Sequence, residues 1–140
     1  MNFKIIIAGS RTFTDYPLMH QCVKDFMAIL KPVQNGRKVT IVSGGAKGAD
    51  ELGERLASQY QSAVDLLVMK ANWDRDGRGA GYARNERMSE IANACIVFCV
   101  DQSRGSTHMR NIAMQKNIPV AFVEIEKGVL EHITYTGVAA

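Results

Sequence analysis

Apolar runs rich in isoleucine and valine recur at Phe3–Ala8, Val39–Val42, Val64–Met69, Ala94–Val100 and Val120–Val123. Continuous rather than alternating hydrophobicity is what a strand needs when both of its faces are covered, as in a parallel sheet flanked by helices. Between the runs the period changes to that of a helix. From Pro17 to Leu30, the residues Leu18, Cys22, Phe26, Ile29 and Leu30 fall on one side. Asp15 is placed to cap this helix, and Pro17 sits in its first turn, where the missing N–H costs no hydrogen bond. Leu52, Leu56 and Tyr60 mark a second helix over 49–60. Tyr82, Met88, Ile91 and Ala92 mark a third over 80–93, and Met109, Ile112, Ala113 and Met114 a fourth over 107–117. With right-handed crossovers, this alternation predicts an α/β fold: a Rossmann-like three-layer sandwich with a mainly parallel five-stranded sheet in the order 3-2-1-4-5. The reading gives one domain over 1–140, with a core at 3–123 and a C-terminal extension at 124–140. In that extension Ile133–Thr136 is a candidate edge strand and 137–140 is expected to fray. The connection Lys70–Gly79, KANWDRDGRG, is polar, longer than most α/β loops and holds the only tryptophan. Such a segment is either a lid beside a site or a surface loop whose Trp73 packs on a neighbour.

Composition narrows the partners. At 140 residues, 46% hydrophobic and 22% charged, the chain has the make-up of a soluble globular domain. No apolar run approaches the roughly 20 residues that cross a bilayer, and MNFKIIIAGS reads as a strand and turn rather than a signal peptide. No membrane partner and a cytoplasmic location are therefore expected. Cys22, Cys95 and Cys99 are odd in number, form no C-x-x-C pair and lie beside no histidine at ligand spacing. They read as buried small hydrophobes, and neither a metal nor a cofactor is expected. The formal charge of +3 suits a small anion. Without a basic run or aromatics interleaved with Lys and Arg, nucleic acid is not an expected partner.

The candidate chemistry lies in the turns. Gly9, Ser10 and Arg11 follow the first run. Ser43, Gly44, Gly45, Ala46, Lys47, Gly48, Ala49 and Asp50 follow the second, and Ser103, Arg104, Gly105, Ser106 and Thr107 follow the fourth. A turn leading from a buried strand into a helix exposes backbone N–H groups, and glycine lets a phosphate approach them. Several such turns on one sheet edge, each with arginine or lysine, point to a nucleotide-like anion. Asp50 falls in the first turn of the second helix, as a cap or as a partner for a ribose hydroxyl. Arg84 and Arg87 are three apart and so share a helix face, with Asn85, a further candidate ligand residue, pointing elsewhere; guanidinium groups grip phosphate in a bidentate way. His20, His108 and His132 share no spacing, and only His108 lies near a turn. G-S-R-T-F-T after the first run lacks the G-x-G-x-x-G of a dinucleotide-dependent oxidoreductase.

Taken in order, G-S-R near the N-terminus, S-G-G-A-x-G-A-D after the second strand and R-N-x-x-M before the fourth resemble the SLOG superfamily, in its YspA-type branch of small standalone proteins. That superfamily includes cytokinin-activating phosphoribohydrolases, lysine decarboxylase-like proteins and the DNA-processing protein DprA. The resemblance covers about residues 3–123. It implies a nucleotide or nucleotide-derived ligand, a homodimer and, as one activity, hydrolysis of the N-glycosidic bond of a nucleoside 5′-monophosphate. The other activity it leaves open is a non-catalytic sensor or sequestering protein for a nucleotide messenger. In the phosphoribohydrolase motif M-H-E-R-K-x-x-M, the catalytic arginine corresponds to Arg84 and the last methionine to Met88. In the motif P-G-G-x-G-T-x-x-E, Gly105 and Ser106 keep the phosphate-binding pair, but Met109 stands where the glutamate belongs. A thioether cannot stabilise the positive charge that builds on ribose as the base leaves. If the chain is a hydrolase, a carboxylate at Asp50, Glu86 or Asp101 would have to act with Arg84.

Overall fold

The computed structural model describes residues 2–33 and 35–138. Its strands are β1 (Asn2–Gly9), β2 (Lys38–Ser43), β3 (Val64–Val68), β4 (Ala94–Val100), β5 (Val120–Glu126) and β6 (Val129–Thr136). The helices are α1 (Tyr16–Leu30), α2 (Ala49–Gln59), the single turn α3 (Trp73–Asp76), α4 (Ala80–Ile91) and α5 (Arg104–Gln115), with a 3-10 turn at Gly77–Gly79. The strands form one sheet in the order β3-β2-β1-β4-β5-β6. The first five are parallel as the apolar runs predict, and β6 adds an antiparallel edge. The sixth strand extends the expected five, and it is longer than Ile133–Thr136. Lys127 and Gly128 both have positive φ, the turn geometry that matches the twist of a two-residue hairpin.

Central β1 carries Ile5, Ile6 and Ile7, all fully buried. Alternation sends Ile5 and Ile7 to a core shared with Met19, Phe26 and Leu56, and Ile6 to one shared with Met88, Met109 and Ile112. Helices α1 and α2 thus cover one face, α4 and α5 the other. Asp15 caps α1 by accepting from the Leu18 amide at 3.0 Å. Helix α5 starts three residues before the expected 107, so Arg104, Gly105, Ser106 and Thr107 belong to its first turn. On β3 the apolar run does not mark burial: β3 is an edge strand, and Leu66, Leu67 and Val68 are exposed. Val138 packs on the core, so the expected fraying does not reach it; residues 139 and 140 lie outside the described residues. All three cysteines are free and buried, and no described helix is long and apolar enough to cross a membrane.

Candidate functional site

Strands β1 and β4 lie side by side, but the chain leaves β1 towards β2 and leaves β4 towards β5. Connections diverging from neighbouring parallel strands open a crevice at their carboxyl ends, and a cavity of about 490 Å³ lies there. Ser10 is held at its base, donating its amide to Phe98 O at 2.9 Å while its Oγ accepts from the Val100 amide at 2.8 Å. From across the switch point Ser103 and Ser106 bring their hydroxyls to within 2.8 and 3.2 Å of Ser10 Oγ, and to 2.6 Å of each other. Although Ser103 is the residue before α5, its side chain accepts no hydrogen bond from a backbone amide of the first turn. Those hydroxyls and the amides of the first turn of α5 offer hydrogen-bond donors at this end of the cavity.

Opposite stands Arg84. Its Nη1 donates to Gly44 O at 2.8 Å, its Nε to Asn85 Oδ1 at 3.2 Å, and Nη1 lies 3.9 Å from Asp50 Oδ2. Gly44 permits this approach, because a Cβ there would sit 2.6 Å from Nη1. Gly48 is equally constrained: with φ at +77°, its Cβ would fall 2.3 Å from Ser10 O, which accepts from the amides of Phe13 and Ala49. Asp50 Oδ2 also accepts from the Ala46 amide at 3.1 Å. Burial raises the Asp50 carboxyl above its ordinary range, against the pull of Arg84. Burial likewise lowers the Arg84 guanidinium, against the pull of Asp50. At 3.9 Å the attraction is too weak to offset desolvation for either group.

With Asn85 Oδ1 accepting from Arg84, the Asn85 amide turns its Nδ2 towards His108 Nδ1, 3.1 Å away. An acceptor at Nδ1 places the imidazole proton on Nε2. Burial holds His108 below its ordinary value, with Glu86 pulling the other way. The ring stacks on Tyr82 at 4.1 Å between centroids and 21° between planes. Arg84, Asn85, His108 and Tyr82 thus form a braced wall.

Residues 3–75, just over half of the chain, match the family described as YspA, cpYpsA-related SLOG. The chain belongs to that family. The Gene 61 protein of Mycobacterium phage D29 is 29% identical over 121 residues, covering 84% of this chain and 93% of the phage protein. The DNA processing protein A (DprA) of Streptococcus pneumoniae superposes with a TM-score of 0.59 at 19% identity, over 86% of this chain and 49% of DprA. That likeness is one of fold, and the SLOG chain spans about half the length of DprA.

Within this SLOG fold Gly9, Ser10, Arg11, Asp50, Arg84, Asn85, Ser103, Gly105 and Ser106 line the cavity. Gly44, Gly45 and Lys47 line an adjoining groove of about 460 Å³ that shares Arg11 and Arg84 with it. Ser43 lies beneath, donating to Glu54 Oε2 at 2.7 Å and accepting from the Gly45 amide at 3.1 Å. Arg104 and Thr107 face a different depression beside Tyr82 and His108. Of the three candidate carboxylates only Asp50 reaches the cavity. Glu86 is exposed on α4 and lines none of these cavities. Asp101 is exposed and accepts from the Lys127 amide at 2.9 Å. Arg84 and Arg87 do not act as a pair, since Arg87 turns to Asp76 at 3.4 Å, while Asn85, expected to point elsewhere, is buried against the site. Lys70, Arg78 and Tyr82 line the cavities without having been singled out as ligand residues. Lys70 had a signal: it follows β3 at the same carboxyl edge. Trp73 is half exposed and lines both spaces, in keeping with the ligand-side alternative for the 70–79 segment.

Proposed function

We propose that this chain binds a nucleotide or nucleotide-derived ligand, its phosphoryl group resting against Ser10, Ser103, Gly105 and Ser106. The observation that carries the reading is the convergence of three serine hydroxyls, within 2.6–3.2 Å of one another, at the start of α5 in the switch-point cavity. Neutral donors fixed before the ligand arrives bind an anion without reorganisation. The test is calorimetric titration with 5′-monophosphates, together with mass spectrometry of any small molecule released on denaturing the purified protein. Absence of binding across adenine, guanine, cytosine and uracil monophosphates, with no copurifying nucleotide, refutes the reading.

A second reading, hydrolysis of the N-glycosidic bond, is favoured by one observation: Asp50 lines the cavity with its carboxyl raised by burial. A more basic carboxylate can take a proton from water as water attacks C1′ and the base departs. Buried Met109 lines the same cavity and supplies no second carboxylate. Binding without rapid turnover, as in a sensor or sequestering protein, is therefore the favoured form of the function. Assays of free-base release should give little from the wild type and more from Met109→Glu. Fast wild-type turnover that Asp50→Asn abolishes would establish the hydrolase instead.

A further inference from the structure

We propose that the ligand carries two separate phosphoryl groups, one at the serine cluster and the other in the adjoining groove beside Lys47 and Lys70. This rests on the nucleotide reading and narrows its substrate class. The sequence pattern places the glycine turns on one sheet edge. In the structure the turns divide between two spaces, of about 490 and 460 Å³, that share Arg11, Ala46, Trp73 and Arg84 as a common wall. Arg84 cannot swing between them freely, because it is tied to Gly44 O and Asn85 Oδ1.

Charge decides between one phosphoryl group and two. The main cavity presents Arg11, Arg78 and Arg84 against Asp50, and the groove adds Lys47 and Lys70 with no carboxylate. Five cations against one anion leave +4 over the joined space. Among the described residues none of Arg11, Lys47, Lys70 or Arg78 forms an ion pair. One phosphate monoester brings about −1.5 to −2 at neutral pH, which leaves the groove uncompensated, whereas two come close to balance. The lysine is also aimed: the Lys70 stem crosses Gly45 so closely that a Cβ on that glycine would meet Lys70 Cγ at 2.9 Å. This lays the side chain along the glycine turn and leaves its ammonium at the groove.

The experiment compares AMP, adenosine 3′,5′-bisphosphate and the guanine counterparts of both, by calorimetry and by fluorescence of Trp73, the only tryptophan. At least one two-phosphate ligand should bind about tenfold or more tightly than its monophosphate. Lys70→Ala should erase that advantage while leaving monophosphate affinity within about twofold, and Lys70→Arg should restore it. Lys24→Ala, the same charge change on remote α1, should leave both affinities as they are. Equal affinity for one and two phosphates, or an equal loss for both in Lys70→Ala, overturns the inference and leaves the nucleotide reading standing. Binding of none of these ligands overturns both.

Discussion

Gly105 offers a substitution in which the requirements of the fold and of the ligand separate. It lies in the first turn of α5, lines the main cavity, and a Cβ built on it would meet no atom within 4 Å. The fold therefore has no steric use for a glycine here, in contrast to Gly44 and Gly48. Replacing a helical glycine with alanine at a compatible backbone position stabilises by about 0.4–1 kcal/mol, mainly by restricting the unfolded chain. For a domain of this size that corresponds to a rise in Tm of about 1–4 °C. The added methyl projects from the surface that the phosphoryl group is proposed to occupy. If it displaces that group from one charge-assisted amide hydrogen bond, the loss is about 1.5–3 kcal/mol, or about 10- to 150-fold in Kd. Gly105→Ala should thus melt higher and bind its nucleotide more weakly, a combination that general damage to the fold cannot produce. Thermal melts without ligand and calorimetry with it measure the two effects separately. Unchanged affinity would refute the placement of the phosphoryl group at α5, and a lowered Tm would refute the helical assignment of the turn.

Arg84→Ala should weaken nucleotide binding by about 1.5–3 kcal/mol and also lower Tm, because it leaves buried Asp50 without its guanidinium. An unaltered melt would show that the Arg84–Asp50 contact contributes nothing to folding. His108 sits below its ordinary value of 6.5, so its contribution to stability is complete above pH 6.5 and is lost as pH falls from there to its folded value. Urea melts between pH 5 and 8 should show a slope in wild type that flattens in His108→Phe, which keeps a ring against Tyr82; parallel curves would exclude the effect. Asp50 acts with the opposite sign. Its raised carboxyl costs stability once ionised, and acidification from above its folded value towards 3.8 relieves that cost, so the wild type should gain stability over that range and Asp50→Asn should not.

The sheet was legible because its signal is local: five apolar runs, each long enough for a strand, separated by segments of helical period. The order of the strands followed from the doubly wound α/β pattern, in which the chain returns to the far side of the first strand after the third, while crossover handedness sets which face each helix covers. What escaped was set by position in the finished sheet. Leu66, Leu67 and Val68 form as apolar a run as the central strands, and only the absence of a neighbour beyond β3 exposes them. Likewise β6 is exposed along much of its length, so only the end nearest β5's first residues carried a readable apolar signal.

Part of the cavity lining was legible for a related reason. Glycine turns at strand ends are local features, and Gly9, Ser10, Gly105 and Ser106 were found through them. The wall was harder to read because α4 does not bury a purely apolar stripe: its inward residues are Ala80, Asn85, Met88 and Ser89, while Tyr82 and Ile91 are exposed. A polar residue at an inward helical position is costly unless its hydrogen bonds are made, and Asn85 makes them to Arg84 and His108. The same geometry explains why Glu86 was a poor candidate for catalysis. It is the next residue after Asn85, about 100° further round the helix, so turning Asn85 inward carries Glu86 out to solvent. Asp50 owes its place to the opposite circumstance. Gly48 allows α2 to begin directly beneath Ser10, which brings the first turn of that helix to the switch point. A carboxylate is thereby buried beside the arginine that the wall holds in place.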